Sequence, residues 1–77
     1  MNTKIAARDL WELVDKSALP DKHDEYGKDH LKYMLNRIML GIVEGEKSHR
    51  WIGWVQGCIC MGGGATLKEM KLINKAA

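Results

Sequence analysis

Between Asp29 and Val43 the apolar residues Leu31, Met34, Leu35, Ile38, Met39 and Ile42 recur at i, i+3, i+4, i+7, i+8 and i+11, the repeat of an amphipathic helix with one face turned inward. This is the clearest period in the chain, and it predicts a helix over about residues 29–43, capped by Asp29. Tyr33, Leu40 and Val43 fall outside the stripe, so one partner helix leaves part of this helix uncovered. Upstream, Asn2 or Thr3 caps a first helix over about residues 4–17. There Ile5, Leu10, Trp11, Leu13 and Val14 are apolar, while Arg8, Asp9, Glu12, Asp15 and Lys16 face water. Pro20, Gly27 and the dense charge between them place a loop at about residues 18–27.

Val43-Glu44-Gly45-Glu46 reads as a helix end followed by a very short turn, because glycine readily takes the left-handed conformation that terminates helices. A connection that short folds the next helix back, so the second helix and a third over about residues 47–61 form a central antiparallel hairpin. The third helix carries Trp51, Trp54, Val55, Cys58 and Met61 at helical spacing, with Ile52 and Ile59 on a neighbouring stripe. Gly62-Gly63-Gly64 stops it, since each glycine costs a helix about 1 kcal/mol relative to alanine. Thr66-Leu67-Lys68-Glu69 then matches a capping box and opens a last helix over about residues 67–76. Leu67, Met70 and Ile73 share one face of it, with Leu72 alongside and Lys68, Lys71 and Lys75 in water. The expected architecture is a single all-α domain spanning residues 1–77, with four helices and the first and last packed around the hairpin.

Size adds an expectation about assembly. A chain of 77 residues buries only about 60% of its unfolded surface, so its stability is marginal and a homodimer is expected. Leu31, Met34, Leu35, Ile38, Ile42, Gly53, Trp54, Gly57 and Cys58 are the positions expected to serve helix packing or the dimer interface. Gly53 and Gly57 form a small-x-x-x-small pair that lets another backbone come close. Each mid-helix glycine costs roughly 0.5–1 kcal/mol, so the pair calls for a packing reason, from the hairpin neighbour or from a symmetry mate.

Composition and charge narrow the rest. With 45% hydrophobic residues, 29% charged residues and one proline, the chain is too apolar to be disordered. A net charge of +2 supplies no strong basic field for nucleic acid. The most apolar run, Trp51 to Ala65, is about 15 glycine-rich residues and too short for a membrane span. Lys4, Arg8, Asp9, Glu12 and Asp15 interrupt any signal-peptide run, so the expected location is the cytoplasm, where Cys58 and Cys60 stay reduced.

Candidate chemistry is sparse. Cys58 and Cys60 sit two apart and point away from each other on a helix, and no second ligand pair accompanies them, so they read as buried apolar residues rather than a metal or redox site. His23-Asp24-Glu25 and Asp29-His30 mix imidazole with carboxylate, but they lie in or beside a polar loop without an i, i+4 histidine pair. No serine sits in a nucleophile elbow and no glycine-rich loop follows a strand. The expected protein is therefore non-enzymatic, with no cofactor and no bound metal. Lys47, His49, Arg50 and Trp51 are the candidate partner-binding residues: their charges suit phosphates and the ring suits a base. The simpler reading is a solvated helix start whose tryptophan turns inward.

In HRWIGWVQGCICMGGGATLKEMKLINKA the chain resembles small phage-encoded accessory proteins of unassigned function. They share a glycine-glutamate turn, a basic-His-Arg-Trp helix start, an aromatic-x-Gln-Gly segment, a glycine break and Thr-Leu-x-x-Met-x-x-Ile-Asn-Lys. The resemblance spans about residues 31–76 and leaves the first helix unmatched. It implies a phage or prophage origin and action in a bacterial cytoplasm, and it brings no catalytic residue with it. The expected function is binding and modulation, chiefly inhibition, of a host protein such as a defence, replication or transcription component. The alternative is a small nucleic-acid-binding regulator that uses Lys47, His49, Arg50 and the lysines of the last helix.

Overall fold

The computed structural model describes every residue of 1–77 except His23 and Gly63, so readings that use those two lie outside the described residues. The chain forms α1 (Thr3–Lys16), α2 (Lys28–Met39), α3 (Gly45–Met61) and α4 (Leu67–Ala76), with no strand among the described residues. In α1, Asn2 caps the start by accepting from the amides of Lys4 and Ile5. Ser17 closes the end, its amide and hydroxyl both donating to the Val14 carbonyl. Ala6, Ala7, Leu10 and Val14 form its buried stripe. This helix packs most extensively on α2 and also touches α3 and α4, while α2 and α3 touch each other less.

The second helix is shorter than its hydrophobic repeat suggests. It starts at Lys28 with Gly27 as cap, so Asp29 lies within its first turn and does not cap it. It stops at Met39 because Gly41 takes φ +76°. The Gly41 amide donates to Ile38 and the Ile42 amide to Arg37, the two bonds of a Schellman motif. Leu40 and Ile42 are thereby thrown outward, Leu40 to 74% exposure, whereas Val43 turns back into the core. Ile42 continues the apolar period on paper but belongs to the turn. Gly45, at φ +63°, begins α3 rather than ending α2.

The buried face of α3 is also rotated from the expected one. Ser48, Ile52, Val55, Cys58 and Ile59 are buried, while Trp54 and Met61 look outward. Two apolar stripes compete for the inside. Ile52, Val55 and Ile59 bring continuous branched side chains to the inside, whereas turning Trp54 and Met61 inward would bring the neighbouring Gly53 and Gly57, which offer no side chain to bury, toward the core. Ser48 is accommodated because its hydroxyl donates to the Gly45 carbonyl at 2.6 Å. The last helix agrees with its expected start and end, including the reciprocal Thr66 and Glu69 capping box. It buries only Met70 fully, and its end is tied to the start of α1 by the Asn2 amide donating to the Ala77 carbonyl.

Polar contacts reinforce the α1 and α2 pair. Lys32 donates to the Asp15 carboxylate and lies 4.8 Å from the Trp11 ring centroid, and Lys28 donates to the Asp15 carbonyl. The Lys32 hydrogen bond, and then its charge, hold the Asp15 carboxyl below the usual carboxylate range. Ile52→Ala is expected to cost about 2–5 kcal/mol in a urea titration, and Met61→Ala in dilute solution no more than about 0.5 kcal/mol. Because the folded Asp15 is the stronger acid, its contribution is present above the unfolded value of about 3.9 and is lost as pH falls through the folded one. The melting-temperature gap between the wild type and Asp15→Asn is therefore expected at neutral pH and closes in acid.

Candidate functional site

With Ser48, Ile52, Val55 and Ile59 turned inward, the outer face of α3 is left to Glu46, Arg50, Gly53, Trp54, Gly57 and Met61, all exposed. This face borders an almost wholly apolar groove of about 510 Å³. Gly53, Trp54, Gly57, Cys58 and Met61 supply one wall, the α1 to α2 loop supplies Leu19 and Tyr26 on the other, and Gly62 closes the end. Trp54 joins the walls: its indole N–H donates to the Glu25 carbonyl at 2.9 Å.

The loop keeps its shape through its own backbone. The amides of Lys22 and Lys28 both donate to the Pro20 carbonyl, at 2.9 and 2.8 Å, and the Gly27 amide donates to Asp24. A Cβ at Gly27 would stand 2.0 Å from the Lys22 carbonyl oxygen, so only glycine closes this turn. Leu19 presses on the end of α3, where a Cβ at Gly62 would meet it at 2.7 Å. Gly62, next after the last residue of the helix, thus makes room for the loop.

A second groove of about 450 Å³ lies on the other side of Gly53 and Gly57, between α3 and α4. Gln56 and Asn74 exchange side-chain hydrogen bonds of 2.7 and 3.4 Å there, and Cys60, Leu67, Met70 and Lys71 complete the lining. The two glycines form a low ridge between two depressions. Nothing lies within 4 Å of a Cβ added at either, so no helix of the same chain fills the space expected to admit a close neighbour.

The other expected site residues separate into groups. Leu31, Met34, Leu35 and Ile38 are core residues and present no surface. Cys58 is buried at the groove floor, and burial pushes its thiol above the ordinary value. His49 and Arg50 are exposed. Trp51 is half-buried against the core with the Lys47 ammonium 5.1 Å from its ring centroid, so the ring turns inward and its open side carries its own cation. Leu19 and Tyr26 were not among the expected site residues. The signal available was the placement of the only aromatic of the polar loop just before Gly27.

No group of three or more metal-ligating side chains occurs among the described residues, and no helix of theirs is long and apolar enough to cross a membrane. Comparison with protein families, with curated proteins and with solved structures returns no match. The surface combines an apolar groove with an indole held by Glu25, a methionine at 91% exposure and a bare glycine ridge, a chemistry suited to packing against polypeptide. Iodoacetamide is expected to modify half-buried Cys60 first and Cys58 only as the chain unfolds, a difference that peptide mass spectrometry reads directly.

Proposed function

We propose that this chain is a non-enzymatic interaction protein that docks polypeptide against the outer face of α3. It pairs with a second copy of itself, and the pair binds and inhibits a host protein in a bacterial cytoplasm. The observation that carries the reading is the apolar groove between α3 and the α1 to α2 loop, with Trp54 and Met61 exposed on its rim. The resemblance of residues 31–76 to phage accessory proteins supports the host target and the phage origin. In this arrangement α2 and α3, joined through residues 40–44, act as an antiparallel hairpin whose outer side bears the groove. Nucleic acid is the less favoured partner, because Trp51 is turned inward beneath Lys47 and so lost to base stacking.

Sedimentation of the wild type across micromolar concentrations is expected to give a dimer mass, and Gly57→Glu, whose side chain meets open space in the single chain, a monomer with unchanged helical circular dichroism. A monomeric wild type at the highest concentration overturns the reading. The mobility of duplex DNA is expected to stay unchanged at low salt, where phosphate contacts are strongest.

A further inference from the structure

The shape and charge of the α3 face specify how a second copy sits on it, an inference that rests on the self-pairing proposed above. We infer that two α3 helices cross antiparallel at the Gly53 and Gly57 ridge, with Arg50 of each copy set against the C-terminal turn of the other's α3. A low ridge with a depression on either side accepts a helix that is small at the crossing and bulky beside it. The outer face of α3 is itself such a helix, with glycine at 53 and 57 and Trp54 and Met61 to one side. A two-fold contact needs a patch that fits itself, and this one does.

The area is sufficient. Trp54 at 45%, Tyr26 at 56% and Leu67 at 66% exposure join Met61 around the ridge, and together they offer on the order of 600 Å² per copy, the lower end for a specific interface. That is about an eighth of the 4783 Å² surface of the chain. An interface at this lower end of the specific size range belongs with the weaker complexes.

Charge decides the direction. Arg50, Gly53 and Gly57 are spaced i, i+3 and i+7 and share one stripe. Lys47, His49 and Arg50 crowd the first two turns of α3, its electropositive end, and the last turn contains no basic residue. That placement opposes the dipole of an isolated helix. An antiparallel crossing centred between the glycines sets residue 50 opposite residue 60 of the partner, so each electronegative helix end receives the basic group that its own last turn lacks. A parallel crossing sets Arg50 against Arg50 instead, so the sign of an arginine substitution reads the orientation.

Sedimentation equilibrium of the full chain tests both parts. Arg50→Ala is expected to raise the dimer dissociation constant at least threefold and Arg50→Glu at least tenfold. In Gly53→Ala/Gly57→Ala the added methyl groups meet open space in the single chain, so the melting temperature of the dilute protein is expected to rise by about 5 °C. The same two methyl groups stand between the crossing backbones, so the dissociation constant rises tenfold or more. Opposite movement of fold stability and pairing is a result that a merely structural role for the glycines does not produce. A wild-type dimer unaffected by the glycine pair overturns the crossing point, and one tightened by Arg50→Ala overturns the antiparallel direction. A wild type monomeric throughout overturns the self-pairing on which both rest.

Discussion

Ala6, Ala7, Leu10 and Val14 are wholly withdrawn from water, and all three other helices pack on the helix that carries them. Two of the four are alanines, so neighbouring helices come close at the start of α1, where the chain's end is also held through Asn2 and Ala77. Leu10 and Val14 extend the stripe toward the α2 side, where Lys32 covers Trp11 and reaches Asp15. The Cα trace measures 28 × 26 × 17 Å, and its short dimension fits two layers of helices packed about 8–10 Å apart, each with Cα atoms about 2.3 Å from its axis. A body that thin contains one layer of core, so every helix keeps an outward face. For α3 that face is the glycine-bearing one, because only Ile52, Val55 and Ile59 supply enough apolar side chain to hold it against α1.

The parts of this fold legible in the sequence are those governed by local rules. The Asn2 cap, the capping box at Thr66 and Glu69, and the inward stripe of Leu31, Leu35 and Ile38 depend only on residues a few positions apart. The end of α2 was obscured by its own period: Ile42 continues the repeat, yet Gly41 and its Schellman bonds end the helix before that residue is reached. For α3 the local information is ambiguous, since apolar residues occupy two stripes and the choice between them is made by what α1 can receive. The groove was legible only in part. Trp54, Gly57 and Cys58 stood out by residue type, but Leu19 and Tyr26 enter through the folding of a loop that has no period to read.

The glycine pair links the local and the global scales. Within the helix, Gly53 and Gly57 are a loss, and within the monomer nothing offsets it, because the space above them is open. Lys47, His49 and Arg50 present the same mismatch in charge, three basic groups at the end of a helix that favours anions. Gly53, Gly57 and Arg50 lie on one face of α3, and the pairing proposed above offsets both disadvantages there.

The groove also has two walls of unequal character. One is a helix committed to the core on its other side, so its residues are fixed by packing. The other is the α1 to α2 loop, held through backbone groups at Pro20, Asp24 and Glu25 that do not depend on which side chains Leu19 and Tyr26 present. Substitution of Tyr26, 56% exposed on the loop wall, therefore alters which surface the groove accepts while leaving the helices as they are, whereas Leu19 also packs on the core. Selectivity in this small protein is free to drift during evolution at little expense in stability, and relatives that share its helices are expected to differ first at the loop.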